Sequence, residues 1–320
     1  MNKRVCSGGG FSTRNRVSAV LILIAGLTVS GSPKAEPADE THFFTDIPVG
    51  VTVSRMMQPA SQSGASMTVI DQDMIRASGA TEIADLLRLV PGFQVSGATI
   101  SSPYLVAYHG QSDILQRGLE VMIDGASVYS SYLTVDWQTL GVAIEDIERI
   151  EVIRGGGAPT YGYNAFTSTI NIITRKPIGT PGVFFSGYVG SRDSRGAMMR
   201  YGAGDGPLHY RLTGRYEETE GNRGRSDGKA LGFLNLRSQI ALSDSDELDV
   251  ALSASDGDLD NNADVPVLLP NTSRDMRADR QRLRWTRTLG RDRDFYVQFY
   301  RRYSEQDDRT SLGLLSDLLG

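Results

Sequence analysis

The stretch Asp146-Ile-Glu-Arg-Ile-Glu-Val-Ile-Arg-Gly155 combines β-branched residues with charges and leads into three consecutive glycines. Its second half, Ile150–Arg154, predicts a strand, because β-branched residues fit a pleated, extended backbone. The glycines Gly155–Gly157 then allow backbone conformations that only glycine adopts cheaply. A second apolar run, Thr169–Thr174, predicts another strand before Pro177. These two strands predict a small sheet in the middle of the chain.

The residues upstream of this sheet predict helices and a tight turn. Asp71 can cap a brief helix, and Gly79 can end it. A second helix, capped by Thr81, is predicted because apolar residues recur at i, i+3, i+4 and i+7: Ile83, Leu86, Leu87 and Val90. The dipeptide Asp124-Gly125 suits a two-residue hairpin. We therefore predict a mixed α+β unit over residues 66–177.

From residue 178 onward the sequence changes to alternating apolar and polar residues, which is the period of a β-strand. Seven strand candidates follow, near Val183–Ser191, Ala197–Gly204, Leu208–Tyr216, Leu234–Leu242, Leu248–Leu252, Leu283–Leu289 and Phe295–Phe299. One face of these antiparallel strands is apolar, and the other carries charge, mostly arginine. Their lengths suit a tilted crossing of a bilayer. A soluble sandwich would also place apolar residues on one face.

The connections between the later strands are alternately long and short. The long ones cover Glu217–Ala230 and Asp256–Ala278, and the short ones cover Ser243–Asp246 and Gly290–Asp294. A membrane barrel with short periplasmic turns and long external loops produces this alternation, so residues 178–320 are predicted to be the first part of a transmembrane β-barrel. Bacterial barrels of this kind close with an even number of strands, so we expect the barrel to be incomplete and the sequence to be a fragment.

The N-terminus has the pattern of a secretory leader, predicted over residues 1–35. Basic residues precede a short apolar run, Val17–Val29, and we expect cleavage between residues 30 and 36. Cys6 is the only cysteine and lies in the leader, so the mature chain is predicted to hold no disulfide and no thiolate metal site. Residues 36–65 predict a flexible arm that contains one β-branched extended stretch.

The motifs of the α+β unit resemble the plug of TonB-dependent outer-membrane receptors. The residues that carry the resemblance are Asp146–Gly155, Tyr161-Gly162, Asn164-Ala165 and Ile170–Thr174, with Ala84–Leu87, Pro91-Gly92 and Val121–Gly125 upstream. It covers about residues 44–305 and is specific over 66–177. The chain departs from the family pattern at Gly156, where Pro is frequent, at His109, where Arg is common, and at Ser168-Thr169, where Gly-Val is favoured.

This resemblance implies a ligand-gated importer of the siderophore or cobalamin type. In that family a plug fills the lumen of a closed barrel, a scarce bulky ligand binds outside, and the inner-membrane TonB complex pulls on an N-terminal box. The candidate box consists of Asp46, Ile47, Pro48, Val49, Gly50, Val51, Thr52 and Val53. Such a segment can add as a strand to the edge of a partner's sheet. An ordinary linker is the alternative interpretation.

Two arginines and a set of aromatic residues are candidates for roles within the plug. Arg149 and Arg154 are predicted to pair with carboxylates on the barrel wall and hold the plug, unless they are ordinary solvated charges. The candidate ligand contacts lie in or beside connections that would face outward: Tyr104, Tyr129, Tyr132 and Trp137. Aromatic rings at these positions are alternatively core-packing residues.

An acidic segment among the strands offers oxygen ligands. Asp256, Asp258, Asp260 and Asp264 fall within a predicted external loop, and oxygen ligands at this density suit Ca²⁺. The segment lacks the full EF-hand pattern, so a solvated acidic loop is the alternative. We expect no other cofactor.

Other functional classes find little support in the sequence. The formal net charge of −5 suggests no nucleic-acid partner. The histidines show no ligand spacing and the glycine triplet lacks the Lys-Ser/Thr of a phosphate-binding loop, so no enzymatic activity is predicted. The leading hypothesis is a receptor of the cell outer membrane whose partners are TonB, membrane lipids and a small-molecule ligand. A passive porin-like channel and a secreted soluble β-rich binding protein or enzyme are the alternatives.

Overall fold

The computed structural model describes residues 49–50, 58–59, 66–97, 104–110, 117–130, 135–162, 164–221, 227–261, 271–290 and 293–311. The predicted leader lies outside these residues, as do all positions of the candidate box except Val49 and Gly50. These two residues form strand β1 (Val49–Gly50), which pairs antiparallel with β2 (Gln58–Pro59).

Residues 66–179, here called the N-terminal unit, contain two sheets. The strands are β3 (Ser66–Ile70), β4 (Phe93–Gly97), β5 (Tyr104–Tyr108), β6 (Leu119–Ile123), β7 (Ala126–Ser127), β8 (Ile147–Arg154) and β9 (Ser168–Thr174). The larger sheet has the order β3-β8-β9-β6-β7, in which only β6 and β9 run parallel, and β4 pairs with β5. Both strands predicted around the glycine triplet are confirmed. The first begins earlier than predicted, at Ile147.

Two local features of this unit follow the sequence signals. Helix α1 (Gln72–Ser78) begins after Asp71, whose Oδ1 accepts a hydrogen bond from the Met74 amide at 2.8 Å, and it ends at Gly79 with φ 65°. The Asp124-Gly125 turn joins β6 to β7, and both residues have positive φ, at 49° and 75°. Positive φ at both central positions is the signature of a type I′ hairpin. Both predictions are therefore confirmed.

The second predicted helix is shorter than expected and starts one residue later. Helix α2 (Ile83–Leu86) passes into a 3-10 turn at Leu87–Leu89, and its N-cap is Glu82 rather than Thr81. Glu82 makes no side-chain capping bond, because its carboxylate is engaged by the strands described below. A third short helix, α3 (Ala158–Tyr161), follows the glycine triplet. Among the described residues, no helix is both long enough and apolar enough to span a membrane.

The core of the N-terminal unit joins its helices to its larger sheet. Ile75 and Leu86 from the helices pack in one cluster with Val121, Ile150 and Ile172 from the strands, and all five side chains are buried. Burying an aliphatic side chain of this size stabilises the fold by about 1.5–3 kcal/mol. The apolar faces predicted for the helices and the strands therefore pack together in a single core.

A seven-stranded antiparallel sheet follows, here called the strand sheet. Its members are β10 (Gly182–Val189), β11 (Arg195–Asp205), β12 (Leu208–Thr219), β13 (Lys229–Ala241), β14 (Asp246–Asn261), β15 (Asn271–Gly290) and β16 (Arg293–Ser311). They lie side by side in sequence order, so each strand pairs with the next. The seven predicted strands are confirmed, and the last three are longer than expected, at 16, 20 and 19 residues.

The two faces of the strand sheet differ in the way that the alternation predicts. Leu212 and Leu234 point outward and are exposed, whereas Arg211 and Thr213, on the opposite face, are almost fully buried. The same alternation exposes Leu252, Leu283 and Phe299 on the outer face. A soluble sandwich buries its apolar face, so the exposed apolar face contradicts the sandwich alternative and fits a strand wall that faces lipid.

The connections of the strand sheet also follow the predicted alternation. Consecutive strands are separated by two, four and two residues at one end of the sheet and by five, nine and nine residues at the other. Unequal ends are typical of membrane barrels.

Candidate functional site

The inner face of the strand sheet contacts the N-terminal unit through buried charges, and Asp146 makes the densest of these contacts. Asp146 ends the 3-10 turn Ile144–Asp146 just before β8, and only 2 % of its surface is exposed. Its carboxylate lies 2.8 Å from Nη1 of Arg200, 3.3 Å from Nε of Arg211 and 2.6 Å from the Thr213 hydroxyl. A buried carboxylate is tolerated only with such partners.

A second contact forms where the β6–β7 turn meets β13 and β15. The Asp124 carboxylate accepts hydrogen bonds from the Thr174 amide at 2.9 Å and the Thr174 hydroxyl at 2.8 Å. It also lies 3.5 Å from Arg237 and 3.9 Å from Arg282. Burial alone would raise the pKa of Asp124, but the two arginines and Thr174 outweigh it, and the pKa is lowered. Asp124 is therefore held in its charged form.

Asp249, on strand β14, shares the same two arginines. Its carboxylate lies 2.9 Å from Nη2 of Arg237 and 2.5 Å from Nη2 of Arg282. Two guanidinium groups thus lie between one carboxylate of the N-terminal unit and one of the strand sheet. This arrangement links the two parts through charge-assisted bonds.

A third contact surrounds Glu82 at the start of α2. Lys229 of β13 contacts both Glu82 and Glu217, the latter at 2.7 Å, and Arg215 contacts Glu217 at 2.7 Å. Arg215 also donates to the Thr81 carbonyl at 3.2 Å. Burial raises the pKa of Glu82 to about 7, although the neighbouring Lys229 opposes the rise. Burial of Glu82 therefore favours the neutral form of its carboxylate.

Backbone packing makes a fourth contact, at Gly141. Its carbonyl accepts hydrogen bonds from Asn235 at 3.2 Å and Ser253 at 3.4 Å. Its φ is 63°, and a Cβ placed there would lie 2.0 Å from the Ser253 hydroxyl oxygen. Both the backbone conformation and the close approach of β14 require glycine at this position.

Residues 59–169 match the family model of the TonB-dependent receptor plug domain. These residues form a TonB-dependent receptor plug domain. The N-terminal unit contains this plug, and the strand sheet, here called the wall, has the antiparallel strands of an outer-membrane barrel.

Two curated relatives show the range of ligands among similar receptors. The chain is 32 % identical to the vitamin B12 transporter BtuB of Vibrio vulnificus (strain CMCP6) over 183 residues, which is 55 % of this chain and 29 % of the relative. It is 29 % identical to the catecholate siderophore receptor Fiu of Escherichia coli (strain K12) over 140 residues, 43 % of this chain and 17 % of that protein. The matched regions thus span less than a third of these relatives' length. Both relatives are receptors or transporters rather than enzymes.

Solved structures share the fold. An open form of the ferric-catecholate import receptor Fiu from E. coli K12 superposes with a TM-score of 0.64 at 19 % identity, covering 79 % of this chain and 40 % of that one. The alcaligin receptor FauA from Bordetella pertussis gives a TM-score of 0.64 at 15 % identity, covering 82 % and 42 %. Plug and wall are therefore arranged as in known receptors.

The charged contacts between the plug and the wall differ from those predicted. Arg149 pairs with Glu148 and, at 2.9 Å, with Glu151, both in its own strand, and Arg154 has a buried Nε without a hydrogen-bond partner. Within the described part of the chain, neither arginine forms an ion pair with the wall. The contacts described above instead join plug carboxylates to wall arginines and a lysine. The locking role of Arg149 and Arg154 stays a prediction.

The described aromatic candidates all contact the plug core. Trp137 belongs to the core cluster and is 5 % exposed, and Tyr104 and Tyr129 pack against that cluster. Burial raises the pKa of the Tyr104 phenol, as expected for a ring at the edge of a core. Tyr132 lies outside the described residues. Ligand contact by these four residues stays a prediction.

The acidic segment is a strand where the sequence predicted a loop. Asp256, Asp258 and Asp260 continue β14 and stand exposed on alternate positions, and Asp256 pairs with Arg277 at 3.0 Å. Asp264 lies outside the described residues. Among those described, no three or more acidic, histidine or cysteine side chains are grouped so that they could hold a metal ion. Calcium binding that involves Asp264 stays a prediction.

Proposed function

We propose that this chain is part of a receptor that actively imports a scarce, bulky ligand, either a ferric siderophore or cobalamin, across the outer membrane. The observation that carries the proposal is the buried set of ion pairs that attaches the plug to the wall. Such pairs hold the plug against the wall, and separating them exposes charged groups to water rather than an apolar core. A passive channel gains nothing from a plug held in this way.

The two ligand classes come from the relatives. BtuB is a vitamin B12 transporter and Fiu is a catecholate siderophore receptor, and this chain resembles each over about half of its length. The deciding experiment compares a strain lacking the gene with the complemented strain, using radiolabelled cobalamin and a labelled ferric catecholate in parallel. We expect energy-dependent uptake of one of the two. Uptake that continues in a strain without TonB would contradict active import and favour a passive channel.

Energy for import has to reach the receptor through a segment on the periplasmic side. We propose that this segment is the box Asp46–Val53 and that its partner is TonB. A β-branched segment can add to a partner's sheet through its backbone amides and carbonyls. We expect Val49→Pro to abolish uptake, because proline removes one ladder donor and fixes φ. Ligand binding to whole cells should stay unchanged.

The matched control for this prediction is Val49→Ala, which retains the amide and should keep most of the uptake. Both rates and surface binding are measured with the same labelled ligand. Normal uptake by the proline variant would show that the partner does not bind this segment as a strand.

A further inference from the structure

The start of helix α2 meets strands β12 and β13 in a cluster of five charged side chains. The plug contributes Glu82 and Glu145, and the wall contributes Arg215, Glu217 and Lys229. Lys229 contacts both Glu82 and Glu217. Arg215 lies 2.7 Å from Glu217 and 3.6 Å from Glu145. Three carboxylates therefore face two cations, which leaves one negative charge in excess within the cluster when every group is ionised.

This cluster lies largely out of contact with water. Side-chain exposure is 17 % for Glu82, 16 % for Lys229, 11 % for Arg215 and 7 % for Glu217. An unbalanced charge costs more free energy in such a setting than in water, because hydration no longer offsets it. Binding of a proton by one of the carboxylates removes the excess charge and its cost.

The hydrogen bonds of the cluster indicate which carboxylate binds the proton. Glu217 accepts two bonds from Arg215, at 2.7 and 3.0 Å, and one from Lys229 at 2.7 Å. Both cations therefore stabilise its charged form. Glu145 is more exposed, at 27 %, and accepts a hydrogen bond from the Ser186 hydroxyl at 2.8 Å. Water and this hydroxyl therefore stabilise the charged form of Glu145.

Glu82 has the weakest support for a negative charge. Within the described part of the chain it forms one ion pair, with Lys229, and Lys229 divides its contacts between Glu82 and Glu217. Burial raises the pKa of Glu82 to about 7, and the like charge of Glu217 contributes to the rise, whereas Lys229 opposes it. The excess charge of the cluster is therefore neutralised at Glu82.

Three further titratable groups lie close to the cluster. They are the phenols of Tyr104 on β5 and Tyr188 on β10, and the carboxylate of Asp85, three residues after Glu82. Phenols and aspartates in water titrate at about pH 10 and about pH 4. Asp85 also forms an ion pair with the exposed Arg88 at 3.0 Å. Among the groups around α2, Glu82 is thus the one that responds near neutral pH.

We propose that Glu82 is a proton-sensitive contact between the plug and the wall. It binds a proton when α2 docks against β12 and β13, and it releases that proton when α2 separates from them and the carboxylate returns to water. Lower pH therefore favours the docked arrangement, and higher pH weakens it. The contact makes the attachment of the plug respond to the pH of the surrounding medium, whichever ligand is imported.

The size of the effect follows from the proton affinity of Glu82 in the two arrangements. The pKa of Glu82 is about 7 in the docked arrangement, against 4.5 for a glutamate in water. The stabilisation that the proton gives to docking is therefore complete below pH 4.5 and is lost as the pH rises through about 7. Between about pH 6 and about pH 8 the docking equilibrium constant should fall about tenfold.

Hydrogen–deuterium exchange of the purified full-length receptor measures this equilibrium. The protection factors of the α2 amides, corrected for the pH dependence of the intrinsic exchange rate, should fall about tenfold from about pH 6 to about pH 8. In Glu82→Gln, whose side chain is neutral at every pH, they should not change. The matched control is Asp85→Asn, on the same helix with an exposed partner, which should keep the wild-type profile. A wild-type profile without pH dependence, or the same dependence in Glu82→Gln, would overturn the proposal.

A second variant covers the case in which Glu82→Gln does not fold. Lys229→Met removes the cation that opposes protonation of Glu82, so the midpoint of the pH profile should move to higher pH than in the wild type. A side chain with a purely structural role would change the protection by the same factor at every pH and leave the midpoint in place. An unmoved midpoint would therefore contradict the assignment of the proton to Glu82.

Discussion

Replacing Asp146 with alanine is expected to release the plug from the wall and to make the outer membrane leaky. Asp146 is buried between Arg200, Arg211 and Thr213, so its removal leaves two buried guanidinium groups without their carboxylate. Removing one partner of a buried ion pair costs about 3–5 kcal/mol. The readouts are the sensitivity of cells to a large hydrophilic antibiotic and the rate at which protease cleaves the plug of the purified receptor.

The plug offers a matched control for this substitution. Asp73 pairs with Arg76 at 3.4 Å on the exposed surface of α1, where ion pairs contribute about 0–1 kcal/mol. Asp73→Ala should therefore leave both readouts unchanged. If Asp146→Ala cells prove as resistant to the antibiotic as Asp73→Ala cells, Asp146 does not hold the plug.

A comparable effect is expected from Gly141→Ala. The added Cβ would lie 2.0 Å from the Ser253 hydroxyl oxygen and 3.0 Å from that of Ser255, on a backbone with φ 63°. Overpacking costs about 1–3 kcal/mol, and a left-handed conformation without glycine adds about 1–2 kcal/mol. We expect a displaced plug segment, measured as a lowered unfolding temperature of the plug and reduced uptake.

Two further variants separate the cost of the backbone conformation at Gly141 from the cost of the steric clash with Ser253. Gly79→Ala has a similar φ of 65° with open space around the new methyl group, so it reports the cost of the backbone conformation alone. Adding Ser253→Ala to Gly141→Ala removes the closest clashing atom and should recover part of the lost stability. Equal effects of Gly79→Ala and Gly141→Ala would show that β14 does not press against the plug.

Features that depend on neighbouring residues in the sequence could be predicted. Asp71 and Gly79 bound α1, and the alternation around Arg211 and Leu212 assigned the two faces of β12 correctly, because capping and strand period are local signals. The misassignment of Asp256–Asp260 has a local cause as well. Aspartates at alternate positions resemble a loop, yet the inward residues between them, Gly257 and Leu259, are buried and continue the strand.

The charged contacts between plug and wall could not be predicted, because their partners are distant in sequence. Asp146 and Arg200 are 54 positions apart, and Glu82 and Lys229 are 147 apart. A carboxylate alone does not reveal whether it will be solvated or buried against such a partner. Asp146 is the first residue of the motif that carries the family resemblance. We nevertheless predicted that the arginines of that motif, rather than Asp146, contact the wall.

At this interface the plug contributes mainly negative charges and the wall mainly positive ones. These charges determine which ions would pass through the lumen if the plug were withdrawn. Withdrawing the plug would remove Asp146 and leave Arg200 and Arg211 facing water without their carboxylate partner. Arginine-lined constrictions favour anions over cations in membrane pores. A receptor caught with its plug displaced should therefore show chloride selectivity along this arc of the wall, visible as a reversal potential shifted toward that of chloride in a salt gradient.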